Sequence, residues 1–270
     1  MCFSLCGRFG SNLGGETGNL LKSIIIAFST YSRIPMPEIS WEKQSMKYSL
    51  CFFPLVGFVI GLCCMGIFTG MGAAGVAKTL TASVLTALPI LLTGGIHMDG
   101  FLDTVDAKSS YQSKEVKLEI LKDPHTGAFA IIYGIVYLLL SFGLFSEVHS
   151  KAVPFIALGY VFSRILSGLS VTVFKKAKKE GMAASSADAA GNQVKWILIA
   201  ELLCCMIGYL LLNPFYGGSC IVAGLGCFYY YKRMAYRTFG GITGDLAGYF
   251  LQLCELLILA IVVLEDCLVG

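Results

Sequence analysis

The chain has 270 residues, of which 56% are hydrophobic and only 14% are charged, and its mean hydropathy is +0.74. Soluble globular chains carry about 25% charged residues, so this composition excludes an ordinary water-soluble domain and indicates a polytopic membrane protein. The net charge of +3 is small, so the positions of the 20 Lys and Arg residues are more informative than their sum.

The amino-terminal part of the chain precedes the first predicted membrane span. Residues 1–25 form a polar extension without the apolar core or cleavage site of a signal peptide. Residues 20–28 are largely apolar but too short to span, so they predict an interfacial or buried helix that ends before Pro35 and Pro37.

Apolar runs of roughly the 20 residues that a transmembrane helix needs occupy most of the remaining chain. They predict an all-α, polytopic membrane bundle of about seven transmembrane helices, with one membrane-embedded domain over 26–264 and a tail at 265–270. The seventh span depends on the run at 217–231, which is shorter than the others. The predicted spans are 48–70, 79–97, 127–146, 152–174, 195–213, 217–231 and 247–264.

The Lys and Arg residues outside these spans are distributed unevenly. With seven spans, 17 of them fall on one side of the membrane and only Lys78 and Lys151 on the other, while Arg164 lies inside a span. Positively charged loops usually stay in the cytoplasm. The asymmetry therefore predicts a cytoplasmic amino terminus and an external carboxyl terminus.

An acidic segment, GGIHMDGFLDTVDA at 94–107, lies on the predicted cytoplasmic side. Asp99, Asp103 and Asp106 are spaced i, i+4 and i+7, which places them within about 60° of one another on a helix. Three like charges on one face repel one another, so a divalent cation is a natural compensation. Oxygen ligands without nearby cysteine favour Mg²⁺ or Mn²⁺, and Mg²⁺ usually also binds substrate phosphates. The alternative is a solvated helix face that Asp99 caps.

Two further groups of residues are candidates for the same site. His97 lies roughly opposite Asp99 on a regular helix, so we expect it to support the site rather than bind the metal. The segment KLEILKDPHTGAFA contains Glu119, Lys122 and Asp123. These residues either belong to an amphipathic interfacial helix or face the metal and the substrate phosphates.

A glycine-rich turn precedes the last predicted span, and Asp245 opens the helix that follows it. Its glycines permit a tight turn whose backbone N–H groups are suited to anion binding. These glycines are Gly240, Gly241 and Gly244.

Arg164, Glu201 and Glu255 are charged residues that lie well inside predicted spans, away from their ends. Such residues indicate either a functional site or a buried ion pair. We expect Arg164 to pair with one of the two acids.

Five blocks of residues, in order along 26–264, share their pattern with one known family. The segment 94–107 is similar to GG-x-H-x-DG-x-x-DT-x-DG, although Ala107 replaces its last glycine. The other blocks are FSTYSRIPMP at 28–37, FPLVGFVIG at 53–61, LEILKDPHTGAFA at 118–130 and GGITGDLAG at 240–248, and Arg164 falls where the family has Ser-Arg. Together they resemble the cobalamin synthase (adenosylcobinamide-GDP ribazoletransferase) family.

The resemblance implies the last stage of coenzyme B12 assembly, in which adenosylcobinamide-GDP and α-ribazole, or its 5′-phosphate, give adenosylcobalamin, or its phosphate, and GMP. Asp99, Asp103 and Asp106 are then expected to hold Mg²⁺ against the diphosphate. Asp123 or Asp245 would orient or deprotonate the attacking hydroxyl, and a cation would offset charge on the leaving group. The predicted substrate-binding residues are His97, Glu119, Lys122, Arg164, Arg237, Gly240, Gly241 and Gly244.

The same resemblance implies the surroundings of the protein. The expected location is the bacterial or archaeal cytoplasmic membrane, with the active face toward the cytoplasm. The lipid bilayer and the two substrates are the expected partners, and no nucleic acid is expected. A homo-oligomer and an association with other late cobalamin-pathway enzymes are both compatible with it.

Two other kinds of membrane protein share features with this chain: CDP-alcohol phosphotransferases and secondary transporters. CDP-alcohol phosphotransferases also place aspartates beside the membrane, but they need D-G-x-x-A-R, whereas Asp103 follows DGFL here. A secondary transporter fits the intramembrane Glu201 and Glu255, but no inverted repeat is evident and the acids cluster at one surface. A transporter predicts a path through the membrane, whereas the transferase predicts a blind cavity open to the cytoplasm.

Overall fold

The structure, a computed structural model, describes residues 16–177 and 190–269. Most of the predicted polar extension, with Arg8, and the predicted loop residues Lys178 and Lys179 lie outside these ranges. Within them the regular structure is helical, apart from one parallel β-bridge between Lys176 and Ile242. The helices are α1 (Glu16–Tyr31), α2 (Lys43–Met46), α3 (Phe53–Ala73), α4 (Lys78–Thr93), α5 (Ile96–Ser109), α6 (Lys114–Ile120), α7 (Ala128–Ser146), α8 (Val153–Val173), α9 (Asn192–Leu212), α10 (Pro214–Thr238) and α11 (Gly244–Val269), with a 3-10 turn at Ser49–Phe52.

This architecture confirms the predicted all-α, polytopic membrane bundle. Among the residues that the structure describes, five segments are long and apolar enough to cross a membrane, and a sixth results if the bent pair α4–α5 is one broken span. Helix α10 contains the short run at 217–231, and its 25 residues extend about 37 Å. It is long enough to span but less apolar than the five segments. The count of seven and the orientation of the termini stay predictions. The five segments are Gln44–Ala73, Ala128–Ser146, Val153–Val173, Asn192–Leu212 and Gly244–Cys267.

The amino-terminal helix agrees with the predicted interfacial or buried helix. Helix α1 ends at Tyr31, before Pro35 and Pro37, and its residues 26–28 are buried. It begins at Glu16, so helical structure already starts within the predicted polar extension.

The predicted span at 79–97 ends earlier than expected, at Thr93. Gly94 and Gly95 both have left-handed backbone conformations, with φ of +66° and +81°. Glycine reaches this conformation without the steric cost that other residues meet. The pair ends α4 and turns the chain by 94°, so the acidic helix α5 is a separate helix beyond a sharp bend rather than a straight continuation of α4.

Helix α8 is the centre of the bundle. About 78% of its most apolar window is buried, compared with 28% for α7 and 22% for α9. Gly57 and Gly61 of α3 lie directly against the α8 backbone at Tyr160 and Ala157, where a Cβ atom would not fit. Small residues allow such close helix contact in membranes. Helices α7 and α9 therefore lie at the periphery.

Small residues also bring α5 against the start of α11. Gly100 lies against the backbone of Asp245, and Gly248 lies against the backbone of His97. A Cβ atom at position 100 would lie 2.7 Å from the carbonyl oxygen of Asp245, so a larger residue would push the two helices apart. This contact fixes the acidic helix beside Asp245.

Candidate active site

Helix α5 has two chemically different faces. One face is buried and holds the apolar side chains of the helix. The other face carries Asp99, which is exposed, and Asp103 and Asp106, which are half-buried. The regular helix thus brings the three acids to one face, as their spacing predicts.

Asp103 is the electrostatic centre of the acidic group. Partial burial, followed by the negative charges of Asp99, Asp245 and Asp106, raises the pKa of Asp103 from 3.8 to about 6. Asp245 belongs to the same group, which agrees with the backbone contact between α5 and the start of α11. Four neighbouring carboxylates, on two helices, concentrate negative charge that a divalent cation would neutralise.

Asp106 is held by the amino end of α7. Its Oδ2 accepts a hydrogen bond from the N–H of Gly127 at 2.5 Å, and its Oδ1 accepts one from the N–H of Ala130 at 2.9 Å. The N–H groups at a helix start lack intrahelical partners and bear partial positive charge. The charge of Asp106 is therefore partly compensated within the fold. Among the described residues, no donor is hydrogen bonded to the carboxylates of Asp99 or Asp103.

Two predicted substrate-binding residues lie in the interior. His97 is 5% exposed, and its ring centroid lies 6.2 Å from that of Tyr31 and 5.6 Å from that of Phe53. Arg164 is 1% exposed, and its Nη1 lies 2.7 Å from Oε1 of Glu255. The expected pairing of Arg164 with an intramembrane acid is confirmed. Both side chains are buried, whereas the acidic face of α5 is partly exposed.

Helix α6 and the turn after it place the next predicted group at the surface. Glu119, Lys122 and Asp123 are all exposed. The Asp123 carboxylate accepts a hydrogen bond from the backbone N–H of His125 at 2.9 Å and lies 2.7 Å from its ring Nδ1. These bonds lower the pKa of Asp123. A carboxylate with a lowered pKa is a weak base, so Asp123 is poorly suited to proton abstraction.

The glycine-rich turn before α11 joins two chain segments. Gly240 has a φ of +79°, and Gly241 lies against the backbone of 175–177, where a Cβ atom would not fit. The N–H of Gly241 donates to a carbonyl oxygen of α10, and Ile242 forms two backbone hydrogen bonds of 2.9 Å with 175–177. The Gly241 N–H is thus used within the fold, while Gly244 is exposed at the start of α11.

Arg237 and Arg33 are exposed arginines, and Arg33 is not among the substrate-binding residues predicted from the sequence. Arg237 is exposed in the last turn of α10. Arg33 lies at the bend between α4 and α5, where its backbone N–H donates to Leu92 at 2.8 Å and its side chain packs over Gly94. Arg33 is exposed, and it forms no ion pair with any residue that the structure describes. Its place in the block FSTYSRIPMP was the only sequence signal for it.

The acidic group suits a cation that needs few protein ligands. Within 16–177 and 190–269, no three His, Cys, Asp or Glu side chains converge closely enough to complete a metal site. Mg²⁺ commonly takes one or two carboxylates and completes its shell with water and substrate phosphates. The partly exposed oxygens of Asp99 and Asp103 meet that smaller requirement.

Comparison with known proteins relates this site to a defined family. A family model described as Cobalamin-5-phosphate synthase matches residues 23–263. The chain belongs to the cobalamin-5-phosphate synthase family. The match covers the whole acidic group and nearly the whole chain, so it confirms the resemblance that the five blocks indicated.

Relatives in this family match over nearly their full length. A protein of Lachnoclostridium phytofermentans named adenosylcobinamide-GDP ribazoletransferase is 49% identical, over 92% of this chain and 96% of its own. A protein of the same name from Desulfitobacterium hafniense is 33% identical, over 88% of this chain and 95% of its own. One from Pseudomonas syringae is 32% identical, over 81% of this chain and 88% of its own. No solved structure matches the chain.

Proposed function

We propose that this chain is an adenosylcobinamide-GDP ribazoletransferase, which joins adenosylcobinamide-GDP to α-ribazole, or to its 5′-phosphate, and releases GMP. Its family and the names of its relatives support a transferase of late cobalamin biosynthesis. The observation that carries the proposal is the meeting of Asp99, Asp103, Asp106 and Asp245 on one partly exposed face. Transfer from a diphosphate needs such a place for a phosphate-bound cation.

The reaction is a substitution at phosphorus. The 3′-hydroxyl of the ribazole attacks the phosphorus that bears the cobinamide arm, and a new P–O bond forms. The bond from that phosphorus to the bridging oxygen breaks, and the bridging oxygen leaves with GMP. The hydroxyl loses its proton while the leaving group gains negative charge. The protein must therefore accept a proton, offset charge and align the two reactants.

Asp245 is the candidate that orients the hydroxyl and accepts its proton. It lies half-buried at the start of α11, and the contact with Gly100 holds its backbone against α5. Asp123 is the weaker candidate, because its hydrogen bonds to His125 lower its pKa. A base must lie within hydrogen-bond reach of the proton it takes, and only Asp245 shares the acidic group.

The acids of α5 are the candidate Mg²⁺ ligands. Mg²⁺, when bound, would neutralise charge on the phosphates of the diphosphate during the transfer. Asp99 and Asp103 would hold the ion through their partly exposed oxygens, and Asp106 would complete the acidic group beside them. Binding would relieve the repulsion that, after partial burial, raises the pKa of Asp103. Dependence on Mg²⁺ is part of this proposal.

Exposed cations are candidates to bind the diphosphate. Arg33 is the strongest of them, because its side chain packs over Gly94 at the amino end of α5. Lys122 and Arg237 are exposed and remain candidates. Arg164 is the weakest, because its charge is paired with Glu255 in the interior.

The active face is proposed to lie toward the cytoplasm of a bacterial or archaeal cell. The uneven distribution of Lys and Arg supports this orientation. A tag placed after Gly270 should be reached by a membrane-impermeant reagent from outside intact cells. Labelling only after lysis would contradict the odd number of spans.

A reconstituted assay tests the proposed function. Purified protein in lipid nanodiscs is incubated with adenosylcobinamide-GDP and α-ribazole, and GMP and the cobalamin product are measured. We expect equal amounts of both products, no reaction with EDTA, and recovery when Mg²⁺ is added in excess. Release of GMP without α-ribazole would indicate a hydrolase, and activity unaffected by EDTA would contradict the metal assignment.

A further inference from the structure

Asp106 differs from the other acids of α5 in what it contacts. Both of its carboxylate oxygens accept backbone hydrogen bonds from the first turn of α7, more than 20 residues further along the chain. Gly127 is the N-cap residue of α7 and has no side chain to bond these N–H groups. A Cβ atom at Gly127 would collide with the Asp106 carboxylate, so the two residues fit closely.

The two donors are the ones that a capping box normally satisfies. In that motif the N-cap side chain accepts from the N–H at the third helical position, and a Glu or Gln there accepts from the N-cap N–H. In this chain those groups belong to Ala130 and Gly127, and Asp106 alone accepts from both. No acid lies in the first turn of α7. Asp106 thus caps α7 from a neighbouring helix.

Such a contact bears directly on the orientation of α5. The helix follows the bend at Gly94 and Gly95, and two consecutive glycines restrict the backbone little. Its direction therefore depends on contacts further along. The packing of Gly100 against Asp245 fixes one side of α5, and the bonds from Asp106 to α7 fix another.

We infer that Asp106 is a positioning residue, which fixes α5 to the amino end of α7 so that Asp99 and Asp103 face the substrate beside Asp245. The inference rests on the proposed function and refines it. Asp106 acts through the direction of α5, and the cation contacts fall to Asp99 and Asp103. The α5–α7 contact itself does not depend on the reaction.

Two variants break the same contact from opposite sides. Asp106→Asn replaces one acceptor oxygen by a donor, while Gly127→Ala leaves every acid in place and crowds the carboxylate. Each should lower kcat roughly 10- to 100-fold, because small misplacements of reacting groups cost this much. The double variant should be no slower than the slower single variant, since both changes remove one interaction. Amide hydrogen exchange at Gly127 and Ala130, measured without substrates, should become faster in both.

Binding of Mg²⁺ alone, measured by isothermal titration calorimetry, separates positioning from ligation. Asp106→Asn and Gly127→Ala should keep the dissociation constant within about threefold of wild type, whereas Asp103→Asn should weaken binding by at least about tenfold. If Asp106→Asn weakens binding as much as Asp103→Asn while Gly127→Ala matches wild type, Asp106 is a ligand and the inference fails. Unchanged kcat and unchanged exchange in Gly127→Ala would also overturn it. Absence of GMP release by the wild type would reject the proposed function, while the exchange measurement would still test the contact.

Discussion

Two groups of charged residues differ in whether the fold supplies an opposite charge: the buried pair Arg164–Glu255 and the acidic group around Asp103. In the interior, Arg164 and Glu255 pair at 2.7 Å, and the hydroxyl of Ser163 donates a further hydrogen bond of 3.0 Å to Glu255. At the acidic face, partial burial and then the negative charges of Asp99, Asp245 and Asp106 raise the pKa of Asp103. A buried charge that is paired within the protein has a structural role, whereas a cluster of like charges at a surface indicates binding of an oppositely charged ligand.

Removing the centre of the unmatched group should have the largest effect. Asp103→Asn should lower Mg²⁺-dependent GMP release by more than about ten-thousandfold, because charge neutralisation by a metal contributes several kcal/mol to such reactions. Expression and thermal unfolding should stay close to wild type, since Asp103 is half-exposed. Glu38→Gln, which removes an exposed acid of the segment before α2, is the matched control and should retain activity. Full activity in Asp103→Asn would show that the acidic group is not needed for the reaction.

Breaking the matched pair should affect stability instead. Arg164→Met leaves Glu255 buried without its partner and should lower the free energy of unfolding by about 3–5 kcal/mol. The double variant Arg164→Met with Glu255→Met should recover most of this loss, because no buried charge remains. Thermal unfolding in detergent compares the stability of the wild type, Arg164→Met and the double variant.

Mg²⁺ binding is the second measurement on these variants. Folded Arg164→Met protein should bind Mg²⁺ as the wild type does. Loss of binding without loss of stability would mean that the pair belongs to the site, contrary to its position in the interior.

The fold was predictable where it depends on apolar length. Runs of about 20 apolar residues identify spanning helices, because the bilayer core demands that length. The bend at Gly94 and Gly95 was not predictable, since glycine is common inside membrane helices and hydropathy does not report φ. The reach of α10 from Pro214 to Thr238 was also missed, because polar residues extend it beyond its apolar run.

The site was predictable where it depends on helical spacing. Asp99, Asp103 and Asp106 share a face because they are four and three residues apart. The bond from Asp106 to Gly127 was not predictable, since it depends on how α5 and α7 pack. The packing of Gly241 was not predictable for a similar reason: its N–H donates to Ala235 of α10 and the residue lies against 175–177. Anion binding by Gly240 and Gly244 stays a prediction.

Arg33 and Arg164 show the same difference for positive charge at the surface and in the interior. Arg33 is exposed beside α5, whereas Arg164 is buried and paired, so of these two arginines it is Arg33 that can meet a diphosphate. Arg33→Gln should raise KM for adenosylcobinamide-GDP about tenfold, the loss of roughly one charge-assisted hydrogen bond. The KM for α-ribazole should change less than twofold. Arg33→Lys should recover part of the affinity, since it restores charge without the planar fork. Equal KM values in wild type and Arg33→Gln would exclude this contact.

The smallest expected effect concerns the acidic group in the absence of metal. The pKa of Asp103, about 6 in the folded protein and 3.8 as its ordinary value, means that folding stability from this group is complete below about pH 4 and is lost as the pH rises through 6. In EDTA at about pH 7.5, Asp103→Asn should therefore be more stable than wild type, by less than about 1 kcal/mol because the carboxylates repel one another partly through water. The difference should shrink toward about pH 4, where the wild-type carboxyl is protonated. Added Mg²⁺ should raise the unfolding temperature of the wild type and leave that of Asp103→Asn unchanged. A variant less stable than wild type in EDTA at the higher pH would show that the acidic group is already compensated within the fold, as Arg164 and Glu255 are.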